Sequence, residues 1–265
     1  VLTTVTGRVL ATAPYKMSDD DLVSTLAVEY ARAVRNWQDS GWGSRFYAWA
    51  FTRELEPYGS YGNGSAMRVS PVGWLYDSED TVLEMARLTA LPTHGHPDGV
   101  RGAQAIALAV FLARSKYSKR DIHDELDSIM NHDGVKSMIG PDKSKSLVPD
   151  GSHYDLDRSV ASIIDSDYQF DETCQGSVPE ALCAFLDPSS IDYQTTLVNT
   201  IRLGGDSDTQ CAMTGAIAEA MWGMPPAYAR DEQDRLEAAG LDANMKAFTD
   251  NCAAYGSIVR GYYEA

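Results

Sequence analysis

Apolar residues recur along this chain at intervals of three and four rather than two, a spacing that predicts helices in segment after segment. Leu22, Leu26, Tyr30 and Val34 fall on one stripe of a helix expected over Asp21 to Val34. The same period predicts helices at Ser78 to Leu91, Ser118 to Met130, Ser177 to Leu186 and Tyr193 to Leu203. Another runs from Pro97 to Ser115, opened by a proline where the first turn has no need of its N–H. Met245, Phe248, Cys252, Tyr255, Val259 and Tyr262 keep the spacing and predict a closing helix. Between Asn131 and Asp157 the pattern lapses into Gly, Pro, Lys, Ser and Asp, which reads as a surface loop or insertion. No sustained alternation rich in Val, Ile and Thr stands out, and no repeat or compositional break divides the chain. The expectation is one mostly α domain over residues 1–265.

Composition narrows the partners. The 265 residues are 44% hydrophobic and 23% charged, which is ordinary globular material with enough chain to bury a core. Set against 22 basic residues are 38 acidic ones, and a formal charge of −16 opposes binding to nucleic acid or to an anionic membrane surface. A phosphate-bearing ligand would need local help from cations or backbone N–H groups. Cys174, Cys183, Cys211 and Cys252 lack paired C-x-x-C spacing and read as reduced core cysteines of a cytoplasmic protein. No apolar run reaches the roughly 18 to 20 residues that span a bilayer, and the N-terminal segment lacks a secretory pattern. Nothing in the pattern speaks to oligomeric state.

Two acidic clusters carry the candidate chemistry. In "MSDDDLVSTLAVEYARA", Ser18, Asp19, Asp20 and Asp21 stand immediately before a helix; in "LGGDSDTQCAMTG", Asp206, Ser207, Asp208 and Thr209 do the same. Capping explains either cluster alone, since Ser and Asp accept hydrogen bonds from first-turn N–H groups and suit the positive end of the helix dipole. If the fold brought both together, four carboxylates would repel one another unless cations lay between them. Two divalent ions would balance four Asp charges. Carboxylate and hydroxyl oxygens are hard ligands, which selects Mg²⁺ or Mn²⁺, with Ca²⁺ as competitor, over Zn²⁺.

Three smaller features accompany the acids. Gly59, Gly62 and Gly64 around Asn63 permit a tight backbone path with exposed N–H groups, suited to a diphosphate or ribose oxygens, or else form a plain turn. Met67 and Val69 read as core. His94, in "PTHGHPDGVRGAQA", is a cap, a core group or a ligand contact. In "TCQGSVPEALCAFL" from Thr173, Pro179 reads as opening a helix and Glu180 as serving its first turn.

Four segments, in order, resemble the ADP-ribosylglycohydrolase family. "SDDD" at Ser18 is similar to its Thr-Asp-Asp-Thr metal motif, "SYGNGSAMRVSPVGW" from Ser60 to its Gly-Asn-Gly motif, "PTHGHPDGVRGAQA" to its Thr-His segment, and "GGDSDTQCAMTGAIAEAMWG" from Gly204 to its closing metal motif. The resemblance implies an all-α, orthogonally packed multi-helix bundle whose central cleft holds two divalent metals, Mg²⁺ or Mn²⁺, beside an ADP-ribose site. By position, Ser18, Asp19 and Asp20 would serve one metal group and Asp206, Asp208 and Thr209 the other. Ser60, Tyr61, Gly62, Asn63, Gly64 and His94 would face the substrate, with Tyr61 covering a ribose or ring face. Gln175 and Ser177 would lie near the cleft.

The implied reaction is hydrolysis of the glycosidic bond at ribose C1″ of an ADP-ribosylated protein or small molecule, with Asp20 or Asp208 orienting the attacking water. Departures from the motifs weigh on turnover. Only Val1 to Met17 precede Ser18, so the family's Gly-Ala-Ile-x-Gly-Asp helix and its glutamate-bearing segment are expected to be absent or heavily altered. Ser18 stands for Thr, and Asp21 for the second Thr. Two other classes therefore stand beside the hydrolase: a member of the same family that binds ADP-ribose without turnover or serves structurally as crystallins do, and a helical interaction module whose acids are only caps. The last predicts no response to Mg²⁺ or a chelator.

Overall fold

Small side chains explain how the centre of this molecule is built. The computed structural model describes residues 1–14, 16–131 and 153–253. At its middle lies a helix, Pro97–Arg114, in which every residue from Asp98 to Ala113 is buried. Its alanines and glycines let neighbours approach closely: a β-carbon at Gly102 would lie 2.5 Å from Cys174 Sγ, and one at Gly73 would lie 2.6 Å from the Ala107 carbonyl. The distance between packed helices is set by the side chains at their contact, so small residues here let the axes come close.

Among the described residues the elements are helical and no sheet forms. They are α1 (Leu2–Thr12), α2 (Asp19–Asn36), α3 (Ser44–Ala50), α4 (Ser70–Leu75), α5 (Glu79–Ala90), α6 (Pro97–Arg114), α7 (Lys119–Asn131), α8 (Val160–Asp165), α9 (Cys174–Leu186), α10 (Tyr193–Arg202), α11 (Ser207–Trp222), α12 (Pro226–Ala238) and α13 (Asp242–Asn251). A short 3₁₀ turn, Ala66–Arg68, precedes α4. Around α6 pack α5, α4, α11, α9 and α7, while α1 closes against α13, α2 and α4. The all-α expectation holds, and Leu22, Leu26, Tyr30 and Val34 form the buried face of α2 as their spacing predicts.

Several boundaries differ from the sequence reading, each for a local reason. Helix α1 was not expected, although Leu2, Val5 and Val9 are buried on one face. Helix α9 begins at Cys174 rather than Ser177, because the Thr173 hydroxyl accepts from Gly176 N at 3.1 Å and caps it there. Pro179 consequently lies inside the helix instead of opening it, and Glu180, beyond the first turn, pairs with Arg158 at 2.8 Å. The closing helix is α13, carrying Met245 and Phe248; Tyr255, Val259 and Tyr262 lie outside the described residues. Most of the expected loop from Asn131 to Asp157 also lies outside them. Val69 is core as expected, and Met67 packs partly buried against the core. All four cysteines are free thiols, and no described helix is long and apolar enough to cross a membrane.

Candidate functional site

The N-termini of α6, α9 and α11 gather around the loop from Gly59 to Ser65, and hydrogen bonds explain why. Ser60 N donates to the Thr93 carbonyl at 3.1 Å, Asn63 N to Glu172 O at 2.8 Å, and Cys174 N to Tyr61 O at 2.8 Å. Isolated β-bridges pair Gly59 with His94 and Gly62 with Thr173, so the loop is threaded between the approaches to α6 and α9. Beneath it, the Cys174 thiol donates to Gly62 O at 3.1 Å, and burial holds that thiol up at about 12. Gly64 has a steric duty: a β-carbon there would lie 3.2 Å from His94 Nε2. The expected array of exposed loop amides is reduced, since Gly62 N is taken by Ser60 Oγ at 3.1 Å and Asn63 N by Glu172 O.

Asp206 is positioned through this loop. Asn63 is buried, and its Nδ2 donates to Asp206 Oδ2 at 2.8 Å and to Ser177 Oγ at 3.1 Å; Ser177 in turn donates to the Thr173 carbonyl at 2.6 Å. Asp206 occupies the N-cap of α11 yet makes no side-chain cap hydrogen bond, so its carboxylate is diverted from the helix to Asn63. Only 8% of Asp206 is exposed. Burial raises its pKa above the ordinary carboxylate value; hydrogen bonds from Asn63 and Thr209 oppose the rise, whereas Asp208 beside it adds to it. Asp208 itself is exposed. Thr209, half-buried, also turns its hydroxyl toward Met67 Sδ at 3.9 Å. Two carboxylates and a hydroxyl therefore meet at the mouth of α11, a set of hard oxygens whose mutual repulsion a divalent cation would relieve.

The first acidic cluster takes a different place. Ser18 Oγ accepts from Asp21 N at 3.2 Å and lies 2.7 Å from Asp21 Oδ2, so its hydroxyl caps α2. Asp19, Asp20 and Asp21 are exposed in the first turn, and Asp19 lies within electrostatic reach of Arg87. Among the described residues no three His, Cys, Asp or Glu side chains form a group able to hold a metal. The contacts at the mouth of α11 join Asp206, Asp208, Thr209 and Asn63, while the contacts of Ser18 and Asp19 described above lie at the N-terminus of α2 and at Arg87.

His94 completes the loop's far side. It is buried, and burial together with the Arg68 charge lowers its pKa well below 6.5, so the ring is neutral. Its tautomer follows from its neighbours. Arg68 Nη2 donates to Thr93 Oγ1 at 2.8 Å, and a guanidinium cannot accept, so the Thr93 proton is free to go to His94 Nδ1 at 2.7 Å. The remaining ring proton then resides on Nε2, the atom that faces Gly64. Arg68 is held in turn over the Tyr30 ring, 4.4 Å from its centroid, and Tyr30 shares a hydrogen bond with Thr6 at 2.9 Å. Tyr61 is 50% exposed at the rim, its ring edge-on to His96 with centroids 5.4 Å apart. Sequence reasoning missed Thr93, Arg68, Tyr168 and Gln210 here; Thr93, Arg68 and Gln210 sit within the singled-out motifs, whereas nothing in the pattern marks Tyr168.

Comparison with known proteins gives a consistent picture. A family model described as ADP-ribosylglycohydrolase matches residues 3–252. ADP-ribosylhydrolase ARH3 of Bos taurus is 34% identical over 235 residues, 75% of this chain and 64% of that protein. The Mus musculus ARH3 is 35% identical over 190 residues, covering 63% of this chain and 50% of that one. An uncharacterized protein, YegU, of Escherichia coli (strain K12) is 32% identical over 178 residues, 64% of this chain and 53% of it. The chain therefore spans between half and two-thirds of the length of these curated relatives. A solved structure of an ADP-ribosylglycohydrolase-related protein complex matches with a TM-score of 0.55 at 18% identity, covering 94% of this chain and 78% of that one, which bears on the fold alone.

Proposed function

The chain belongs to the ADP-ribosylglycohydrolase family, and from that premise we propose that it is a divalent-cation-dependent hydrolase. It cleaves the glycosidic bond at ribose C1″ to release ADP-ribose from a protein side chain or a small ADP-ribosylated molecule. The observation that carries this reading is the carboxylate pair Asp206 and Asp208 at the mouth of α11, with Asn63 bound to Asp206 at 2.8 Å. Asp206, Asp208 and Thr209 are the side chains that would hold Mg²⁺ or Mn²⁺. Ser18, Asp19 and Asp20 remain the counterpart group assigned by motif order. A bound cation supplies Lewis acidity and lowers the pKa of its water.

The chain's own residues supply orientation. Asn63 presents the Asp206 carboxylate in one direction, and Asp208, exposed beside it, or Asp20, exposed in the first turn of α2, would orient an attacking water. Neutral His94 offers its Nε2–H as a donor to a ligand oxygen without adding charge next to Arg68. Tyr61, half-exposed, has a ring face free to cover a ribose or base. Ser60, Gly62 and Gly64 shape the loop so that a ligand can approach the backbone.

One observation favours a second reading, ligand binding without turnover: the Ser18 hydroxyl accepts the α2 cap bond from Asp21 N and donates to Asp21 Oδ2, which leaves it a single lone pair for a cation. One assay separates the two. The protein is incubated with serine-linked and arginine-linked ADP-ribosyl peptides, in Mg²⁺ and in EDTA; free ADP-ribose is measured, and binding of ADP-ribose is read by calorimetry under the same conditions. Release that requires the cation supports the hydrolase; binding of ADP-ribose with no release in either condition supports the alternative.

A further inference from the structure

Gly205 lies against an aromatic ring. A β-carbon at this position would be 2.5 Å from Tyr168 Cε1, 2.9 Å from the Tyr168 hydroxyl and 3.0 Å from Gln210 Oε1. Only hydrogen fits there, and the preceding residue, Gly204, has a φ of +80°, a left-handed conformation that favours glycine. The turn that delivers Asp206 is thus pressed between two side chains belonging to different parts of the chain.

Those two side chains are tied to each other and to α9. Gln210 Nε2 donates to Tyr168 Oη at 3.0 Å and reaches the Ser177 carbonyl at 3.4 Å, while Tyr168 donates its own proton to the Gly176 carbonyl at 2.8 Å. Gln210 is fully buried, and its backbone N–H donates to the Asp206 carbonyl at 2.8 Å, the first bond of the α11 ladder. On the opposite side of the same turn, Asn63 links the Asp206 carboxylate to Ser177 Oγ. The result is a closed circuit, Asp206 to Asn63 to Ser177 to Gln210 and back along α11. Tyr168 braces it from outside. Burial raises the Tyr168 pKa, so the hydroxyl stays protonated and keeps its donor role at any ordinary pH.

We propose that Tyr168 and Gln210 are positioning residues for Asp206: they fix the Gly204–Gly205 turn, and with it the direction in which the carboxylate leaves α11. The inference rests on reading Asp206 and Asp208 as a cation site only for its functional consequence, since the circuit itself is a matter of geometry. Tyr168→Phe keeps the ring over Gly205 but removes the acceptor for Gln210 and the donor for Gly176. Gln210→Leu keeps similar bulk and removes the bonds to Tyr168 and to the Ser177 carbonyl of α9.

The test measures two quantities on the full chain. The first is amide hydrogen exchange of residues 205–209 without metal; the second is the Mn²⁺ dissociation constant by calorimetry, with Tyr228→Phe as a control remote from the loop. The expected result is faster exchange confined to 205–209 in both variants, and Mn²⁺ binding weakened by about 10–100-fold, the usual effect of losing a partner that orients a metal ligand. The control should match the unaltered protein in both. A merely stabilising role would speed exchange across the whole bundle and leave the Mn²⁺ constant in place, and that outcome overturns the proposal. If the unaltered protein binds no Mn²⁺, the cation reading of the site falls, and unchanged exchange at 205–209 then overturns the positioning role independently.

Discussion

Asn63 and Asp206 are separated by 143 residues in sequence, and they meet side chain to side chain at 2.8 Å inside the protein. That single contact joins the glycine loop to the acidic mouth of α11. It also replaces the cap that an aspartate at this position would ordinarily provide. Because the carboxylate is buried and has a like charge nearby, its amide donor matters more than an exposed hydrogen bond would. Asn63→Ala should lower stability by about 1–3 kcal/mol, the cost of leaving a buried polar group without its partner. Urea denaturation measures it. Asn63→Asp should cost more, since a third carboxylate would then face Asp206.

The Asp206 and Asp208 charges oppose each other in the metal-free protein. Asp208→Asn should therefore raise the melting temperature in EDTA; on the cation reading, Mg²⁺ or Mn²⁺ should raise the melting temperature of the unaltered protein but not of this variant, because a ligand specific to the native state must raise its stability. A thermal shift series with and without cation reads both effects. Loss of stability in EDTA on this substitution would show that the two carboxylates do not strain the fold.

The imidazole of His94 makes a distinct prediction about pH. Its folded-state pKa lies well below the ordinary 6.5 because burial and Arg68 disfavour the cation. Below pH 6.5 the unfolded chain takes up a proton that the folded chain refuses, so this histidine costs stability as pH falls. The slope is at most about 1.4 kcal/mol per pH unit. Between pH 6.5 and 5 the unfolding free energy should decline with this contribution, and His94→Gln should remove it from the profile.

Gly102 tests the packing that places α9 beside α6. An added β-carbon would meet Cys174 Sγ at 2.5 Å and Cys174 Cβ at 2.9 Å. Gly102→Ala should destabilise by about 1–3 kcal/mol, as overpacking does. Cys174→Ala in the same chain should recover part of the loss, because the nearer atom is gone. A double-mutant cycle measured by denaturation gives the coupling.

Much of the helical framework was legible because packing in this protein follows the period-3.6 stripe. Leu22, Leu26, Tyr30 and Val34 announce α2, and Pro97 opens α6 where the sequence reading put it. Pro179 misled, since a proline can sit within a helix once Thr173 caps it earlier. The motifs singled out Asp206, Asp208, Thr209, Asn63 and His94, yet the contacts among them were not in the pattern. A spacing cannot reveal that Asp206 turns away from its own helix toward Asn63, nor that Ser18 stays with its helix as a cap. Thr93 and Arg68 set the His94 tautomer through a relay of hydrogen bonds, and Tyr168 acts through Gly205 from a connecting loop. Such roles depend on three-dimensional proximity between segments whose local sequences carry no sign of it.

The most direct measurement of the central claim is a Mn²⁺ titration followed by electron paramagnetic resonance, comparing the unaltered protein with the Asp206→Asn, Asp208→Asn double variant. The account predicts saturable binding in the first and its loss in the second, with the variant still folded by circular dichroism. Equal Mn²⁺ binding in the two proteins would contradict the assignment of this carboxylate pair, as would no binding in the unaltered protein.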